Sequence, residues 1–232
     1  MKILKILGAA LLLGYIQQAA GMDNFDLAKK NLPGIFRQLE NPATLYCNCP
    51  LTFHANRYST DIRECGYKVR KNAKRAARIE AEHIMPAWEF GHQLGCWKSG
   101  KRKQCSAGDE KFQRMEGDLH NLWPAIGEVN GDRSNFGYSQ WGTKSGMYGQ
   151  CPVVIDFKLK RIQPAEFSRG PIARAYLYMS EQYHIRLSKT NRRMFETWNK
   201  MYPPSADECR RDKAIELVQG NSNHFVRDAC SL

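Results

Sequence analysis

The sequence predicts an α+β protein built as one domain, and three observations carry that prediction. The chain has 232 residues, of which 42% are hydrophobic and 11% aromatic, which is enough for a sizeable core. Helical patterns are mixed with short strand-like runs, without the regular strand–helix alternation of a parallel α/β fold. Eight cysteines, an even number, indicate a domain held together by disulfides.

In the N-terminal half, Pro and Gly mark most of the predicted boundaries. Pro33-Gly34 should break a helical segment into one or two turns, because proline interrupts a helix interior. Pro124 should begin a helix, since proline is favoured at the first helical position. The expected elements are helical turns at 23–40, loop or strand at 47–65, a helix at 67–79, a loop at 91–108 and a short strand at 118–123.

In the C-terminal half, the most regular patterns belong to helices. Residues 151–157 (CPVVIDF) are rich in β-branched side chains and predict a strand. Ser205 followed by Glu208 has the spacing of a capping box, so a last helix should start there and stop at Gly220. The other expected elements are an ordered loop at 131–149 and amphipathic helices at 172–183 and 191–201.

The first 21 residues have the layout of a secretory signal peptide. Lys2 and Lys5 form a positive start, residues 6–16 are apolar, and small residues follow at positions 19–21. The apolar run is too short to span a bilayer comfortably. We expect cleavage near residue 20 or 21, export to the periplasm or the medium, and one mature domain over 22–232.

The eight cysteines all follow this leader, and none stands in C-x-x-C spacing, so zinc knuckles fit poorly. In an oxidising compartment they should form four disulfides. We expect two local pairs, Cys96–Cys105 and Cys209–Cys230. Cys47 and Cys49 would then pair with Cys65 and Cys151, and the sequence leaves open which cysteine pairs with which.

The formal net charge of +12 draws a protein to polyanions, without separating nucleic acid from an anionic membrane or an acidic polysaccharide. On the helix predicted at 67–79, cations spaced three, four and three residues apart should share one face, namely Lys68, Lys71, Arg75 and Arg78. A second cationic edge would come from Lys101, Arg102 and Lys103. We expect these side chains to contact phosphates rather than to read bases.

Two segments, residues 78–88 and 116–135, combine the side chains that phosphodiester hydrolysis needs. Such a reaction requires a base for water and a divalent cation for the phosphate. Neutral histidine suits the base at neutral pH, and carboxylate and amide oxygens suit Mg²⁺. Glu82 and His83 would point to opposite faces of an extended strand. One site can use both only if the backbone turns there, or if they approach the phosphate from two sides.

Two known sequence motifs are matched only in part. Residues 95–102 match a phosphate-binding loop until Arg102 replaces the Ser or Thr that would hold Mg²⁺. Residues 79–83 approach an inverted zinc-protease motif, but Ile79 stands where a histidine is required. Neither a nucleotide-binding loop nor a zinc protease is expected.

Taken together, these segments resemble the bacterial endonuclease I family. The similarity extends over nearly the whole mature chain, including its eight cysteines. The residues that carry it are Glu82-His83-Ile-Met-Pro-Ala, Gly117-Asp118-Leu-His120-Asn121-Leu-Trp-Pro, Asn130, and Arg133-Ser134-Asn135-Phe136-Gly137. That family belongs to the ββα-metal (His–metal finger) nucleases. The resemblance therefore implies a finger of two short strands and a helix inside the α+β domain.

The resemblance also implies a role for each matching side chain. His83 would be the general base, and Arg102 would contact phosphate and stabilise the transition state. Glu82 and Asn130 would bind one Mg²⁺ ion, with other divalent cations as possible substitutes. Two residues would support the site, Glu116 as a neighbouring acid and Asn121 as a brace that orients the base.

The leading hypothesis is a secreted or periplasmic endonuclease without sequence specificity. It would hydrolyse double- and single-stranded DNA and also RNA through one Mg²⁺, leaving 5′-phosphate ends. The alternative is a non-catalytic exported basic nucleic-acid-binding protein, which leaves Glu82, His83 and Asn130 without a role. Because no cysteine is left over, we expect a monomer, and one that does not insert into a membrane once the leader is removed.

Overall fold

The computed structural model describes residues 24–142 and 146–230, and these confirm the mixed α+β architecture. The helices are α1 Phe25–Phe36, α2 Ala73–Ala76, α3 Ala87–Gly91, α4 Gly95–Gly108, α5 Glu110–Glu116, α6 Gly127–Arg133, α7 Glu166–Tyr183, α8 Lys189–Met201, α9 Ala206–Gln219 and α10 His224–Cys230. The strands are β1 Thr52–His54, β2 Arg57–Ser59, β3 Ile79–His83, β4 Leu122–Ile126, β5 Gly137–Tyr138, β6 Val154–Asp156 and β7 Arg161–Gln163. The predicted leader, residues 1–21, lies outside the described residues. In the described part, no helix has the length and apolar character needed to cross a membrane.

The strands form three small sheets within the described residues. β1 and β2 are an antiparallel hairpin, which accounts for the loop or strand expected at 47–65. β3 and β4 are antiparallel, with Glu82 opposite Trp123 and His83 opposite Leu122. β7 lies between β5, to which it is parallel, and β6, to which it is antiparallel.

β3, β4 and α6 form one compact unit. α6 starts directly after β4, and the N–H of Gly127 donates to the carbonyl of Arg78 just before β3. A Cβ at Gly127 would lie 2.6 Å from the Arg75 carbonyl oxygen, so only glycine permits this approach. The prediction that Pro124 starts the helix is wrong, because Pro124 pairs with Ala81 inside β4. A missing N–H is tolerated on the outer edge of a two-stranded sheet.

Arg133, in the last turn of α6, ties that helix to the end of β3. Its side chain is 1% exposed and donates to the carbonyl oxygens of His83 at 2.9 Å and Ile84 at 2.6 Å. It also pairs with Glu82 Oε1 at 3.0 Å. These contacts fix the strand end and the helix end relative to each other.

α1 is continuous, so the predicted break at Pro33-Gly34 is wrong. Proline removes the hydrogen bond to the carbonyl four residues earlier, and that residue, Lys29, faces solvent, where water can replace the bond. Leu32 and Ile35 are buried in one hydrophobic cluster with residues of α9. Burial of this apolar face outweighs the local cost of proline.

The helix predicted at 67–79 is also wrong, since only α2 forms there. The backbone N–H groups of Arg70, Lys71 and Asn72 donate instead to the buried carboxylate of Glu128. This distant acceptor holds the chain in a non-helical path up to Asn72, whose side chain then caps α2.

The loop predicted at 91–108 contains α4, which is kinked at Gly100 and Lys101. The disulfide explains the kink. Its two Cα atoms, in Cys96 and Cys105, are 5.1 Å apart. Nine residues of straight helix would span about 13.5 Å. The chain therefore folds back on itself between two short helical pieces.

The C-terminal half follows its predicted pattern more closely. The two predicted amphipathic helices fall within α7 and α8, and the strand predicted at 151–157 contains β6. Ser205 accepts the N–H of Glu208 at the start of α9, and Gly220 ends that helix with φ of +87°. α10 was not predicted, and the segment at 131–149 also contains the end of α6 and β5.

Four disulfides use all eight cysteines, and both predicted local pairs are confirmed. The pairs are Cys47–Cys151, Cys49–Cys65, Cys96–Cys105 and Cys209–Cys230. The structure thus decides the order that the sequence left open. The Cys47–Cys151 bond spans a sequence separation of 104 residues and lies in the main hydrophobic core.

Replacing Arg133 by methionine should lower the free energy of unfolding by about 3–5 kcal/mol, because it leaves the buried Glu82 carboxylate unpaired. Urea unfolding measures this loss. Arg114→Met is the matched control, since Arg114 pairs with Glu110 on the surface at 3.7 Å. That change should cost less than about 1 kcal/mol. Equal losses in the two variants would contradict the role given to Arg133.

Removing the long-range disulfide should cost more stability than removing a local one. In the chain-entropy model the double variant Cys47→Ala/Cys151→Ala loses about 5 kcal/mol and Cys96→Ala/Cys105→Ala about 3 kcal/mol. The difference arises because the longer loop restricts the unfolded chain more. Denaturant unfolding of both variants tests the order, and a larger loss for the local pair would refute it.

Candidate active site

A hollow of about 260 Å³ opens where the ends of β3 and α6 meet α1 and α4. Its lining includes His83 and Glu82 from β3, Arg102 from α4 and Asn130 from α6. We call it the His83 hollow. The four side chains expected to be catalytic or metal-binding therefore share one cavity. Glu82 and His83 both reach it because His83 is the last residue of β3, where the chain leaves the strand.

One hydrogen bond settles which nitrogen of His83 is available. Nε2 lies 2.8 Å from the backbone carbonyl oxygen of Glu116. A carbonyl oxygen only accepts, so Nε2 carries the proton and Nδ1 of the neutral ring keeps its lone pair. The ring is thus arranged as a base through Nδ1.

The surroundings of His83 keep it neutral. Burial, followed by the positive charge of Arg102, lowers the pKa of His83 to about 3, although the hydrogen bond to Glu116 opposes this. The imidazole is therefore uncharged at neutral pH, the form in which it accepts a proton.

Glu116 holds two members of the site at once. Its backbone carbonyl fixes His83, and its side chain accepts from Arg102 Nε at 2.6 Å and from Ser106 Oγ at 2.9 Å. The carboxylate is buried, whereas the arginine side chain is half exposed. Arg102 therefore presents a positive charge at the hollow while one edge of its guanidinium is anchored.

Glu82 is a buried carboxylate with one oxygen committed. Oε1 accepts from Tyr46 Oη at 2.7 Å and pairs with Arg133 at 3.0 Å. Burial raises the pKa of Glu82, while Arg133 and Tyr46 oppose the rise. Oε2 has no protein hydrogen-bond partner among the described residues. A cation in the hollow would favour the charged form of this group.

Asn130 also keeps an oxygen available. Its Nδ2 donates to Glu80 Oε2 at 3.0 Å, which leaves Oδ1 without a protein partner in the described part of the chain. Glu80 lines the same hollow and pairs with Arg75 at 2.7 Å and Arg78 at 2.8 Å. The amide is thus oriented by a carboxylate whose charge two arginines offset.

The donor set of Glu82 and Asn130 fits a hard divalent cation. Mg²⁺ prefers oxygen ligands, keeps several waters and is often held by only one or two protein groups. Within the described residues no group of three or more His, Cys, Asp or Glu side chains is placed to hold a metal. A cation at Glu82 and Asn130 would complete its shell with water and substrate oxygens.

Asn121 lies behind the site rather than in it. Its Oδ1 accepts the N–H of Met85 at 2.7 Å, and its Nδ2 donates to the carbonyl of the same residue at 3.0 Å. Its own carbonyl accepts the N–H of Ile84. This fully buried amide braces the chain where it leaves β3, directly after His83.

The predicted cationic face does not form as a helical stripe. Arg75 and Arg78 are engaged with Glu80, while Lys68 and Lys71 are exposed on the non-helical stretch before α2. The second predicted edge is present in part. Lys101 and Lys103 are exposed at the kink of α4, on either side of Arg102.

Sequence reasoning assigned no role to three residues of the site: Phe25, Glu80 and Arg133. Glu80 stands two residues before Glu82, which places both carboxylates on one face of β3, so strand periodicity was a usable signal. Arg133 was noticed only as part of the resemblance. Phe25 lies in α1, far from the motifs in sequence, and no local signal marks it.

The chain matches the family model for Endonuclease I over residues 37–230. It is 48% identical to a periplasmic deoxyribonuclease of Aeromonas hydrophila, an alignment that covers 97% of this chain and 94% of the relative. It is also 48% identical to an extracellular deoxyribonuclease of the same species, with 95% of each chain covered. A third relative, Endonuclease-1 of Buchnera aphidicola subsp. Baizongia pistaciae (strain Bp), is 48% identical over 89% of this chain and 84% of its own.

The range matched by the family model includes β3, β4 and α6 and the segments that carry His83, Arg102 and Asn130. The chain belongs to the endonuclease I family.

Proposed function

We propose that this protein is an exported endonuclease that hydrolyses DNA, with His83 as the general base. The observation that carries the proposal is the His83 hollow itself. It is lined by the neutral His83, whose Nδ1 keeps its lone pair, and by the cation of Arg102. Glu82 and Asn130 also line it, and each has one side-chain oxygen without a protein partner among the described residues. The names of the relatives, deoxyribonuclease and Endonuclease-1, support the same substrate.

In the proposed mechanism, His83 Nδ1 takes a proton from a water molecule whose oxygen attacks phosphorus. The bond from phosphorus to the 3′ oxygen breaks, which leaves a 5′-phosphate on one fragment. The departing 3′ oxygen takes a proton from solvent and becomes a hydroxyl, and the His83 imidazolium returns its proton to solvent. Glu82 and Asn130 would hold one Mg²⁺, which supplies positive charge at the phosphate when bound. Arg102 neutralises charge that builds up on the phosphate oxygens.

The substrate should be selected by its backbone and not by its sequence. The groups around the hollow are cations and metal-binding oxygens, which act on phosphates, and RNA and single-stranded DNA carry the same phosphodiester. We therefore propose activity on double- and single-stranded DNA and on RNA.

Three features support the proposal that the protein is exported. Two of the three relatives described above are named periplasmic or extracellular, and the first 21 residues have the composition of a signal peptide. The four internal disulfides suit an oxidising compartment. They also leave no cysteine for pairing between chains, which supports a monomer.

His83→Ala and Glu82→Gln should each lower the rate of plasmid cleavage by about 10²–10⁴-fold, because they remove the base and a metal ligand. Supercoiled plasmid with Mg²⁺, resolved on a gel, is the assay. A chelator should abolish cleavage by the unmodified protein, and added Mg²⁺ should restore it. His54→Ala, an exposed histidine on β1, should cut normally.

Two results would contradict this proposal. Cleavage by His83→Ala at the rate of the unmodified protein would show that His83 is not the general base. Plasmid that is retained on the gel but never cut, with or without Mg²⁺, would instead favour a non-catalytic nucleic-acid-binding protein.

Binding of DNA by the inactive His83→Ala variant should weaken about 100-fold between 50 and 200 mM salt if about four phosphates are contacted. Two duplexes of unrelated sequence should give the same affinity. In the double variant Lys101→Gln/Lys103→Gln, the affinity for DNA should fall less steeply as the salt concentration rises. Lys200→Gln/Lys213→Gln, which removes two exposed charges from α8 and α9, should change this salt dependence less. Affinity that is independent of salt would refute phosphate-based binding.

A further inference from the structure

Phe25, the first residue of α1, lies directly against the proposed base. The centroids of the Phe25 and His83 rings are 4.6 Å apart, with 37° between their planes. The other aromatic neighbour of His83 is Phe90, with centroids 6.3 Å apart. Phe25 is thus the closer of the two rings that confine the imidazole.

The same ring also contacts the cation of the site. The guanidinium carbon of Arg102 lies 5.6 Å from the Phe25 centroid. Glu116 anchors Arg102 through Nε, and the phenyl face supplies a second contact within the range of cation–π attraction. Phe25 therefore touches both groups that would act on the phosphate.

α1 holds this ring at a defined place. Asn24 caps the helix by accepting the N–H of Leu27 at 2.8 Å. One turn further along, Ala28 and Leu32 are fully buried in the cluster shared with α9. The ring is consequently carried by a packed helix rather than by a loose terminus.

Phe25 also stands between two cavities. It lines the His83 hollow and a neighbouring hollow of about 360 Å³, and the two share Glu80, Ala81 and Asn130. A smaller side chain would join them and leave the imidazole without a wall on that side.

We propose that Phe25 is a positioning residue for cleavage. Its ring limits rotation of the His83 imidazole and gives the Arg102 guanidinium a flat apolar face to lie on. The inference rests on the proposed nuclease function. Misplacement of a reacting group by a fraction of an ångström lowers the rate of the chemical step more than it lowers binding.

The test compares kcat and KM of the full mature chain on a fluorogenic DNA oligonucleotide with Mg²⁺. Phe25→Ala should lower kcat about 10-fold and change KM less than about 2-fold. Phe25→Tyr, which keeps the ring, should recover kcat to within about 3-fold of the unmodified protein. Phe25→Leu keeps most of the volume without a π face, and its kcat should lie between those of the alanine and tyrosine variants. It takes the place of Phe25→Ala in the comparison if the alanine variant does not fold.

Phe53→Ala is the matched control. Phe53 packs against the same hydrophobic cluster as Phe25, and the Arg37 guanidinium lies 5.5 Å from its centroid, but it is not part of the His83 hollow. Its kcat should be unchanged, whatever its thermal stability.

Unchanged kcat in Phe25→Ala, a rise in KM alone, or an equal loss of kcat in Phe53→Ala would each overturn the positioning role while leaving the nuclease proposal intact. Failure of Phe25→Tyr to recover kcat would overturn it as well. Absence of cleavage by the unmodified protein would instead overturn the proposed function, and the positioning role with it.

Discussion

The buried ion pair between Glu82 and Arg133 is the interaction on which the rest of the site depends. A carboxylate that is to hold a cation must stay charged, yet burial raises its pKa. Arg133 opposes that rise by pairing with one carboxylate oxygen of Glu82, a residue that also lines the hollow. The same guanidinium donates to the carbonyls of His83 and Ile84, so one side chain affects both the charge of Glu82 and the position of His83. A break in this pair would leave an uncompensated charge inside the protein.

Glu116 likewise contacts two side chains of the site at once. Its carbonyl sets the tautomer of His83 and its carboxylate holds Arg102, so the end of α5 controls a proton acceptor and a cation together. Arg102 reaches that point because the Cys96–Cys105 disulfide folds α4 back at Gly100 and Lys101. The covalent bond thus has a direct consequence for the site, beyond its effect on the unfolded chain.

Much of the basic excess in the composition is not available as unpaired surface charge in the folded protein. Several arginines are buried and bind groups in the interior. Arg174 is buried against Glu208 at 2.5 Å, and Arg211 donates to the carbonyls of Leu119 and Leu122. Arg75 and Arg78 are occupied by Glu80. Lys101 and Lys103, beside Arg102, are instead exposed and in no ion pair among the described residues, as are Lys68 and Lys71.

The sequence by itself determined the α+β class, the two local disulfides and the helices α7, α8 and α9. These follow from local signals: periodicity, capping residues and cysteine spacing. Glu82 and His83 stood out because phosphodiester hydrolysis needs such side chains, whereas the roles expected of Arg102 and Asn130 came from the resemblance to the endonuclease I family. The tertiary structure decided the rest. Glu128 draws residues 70–72 out of a helix, and packing on α9 carries α1 through Pro33. Distant elements bring Phe25 and Arg133 to the histidine. Hydrogen bonds, apolar burial and ring contacts between residues far apart in the chain leave no mark on the local pattern, and they outweigh the weak propensities that such a pattern reports.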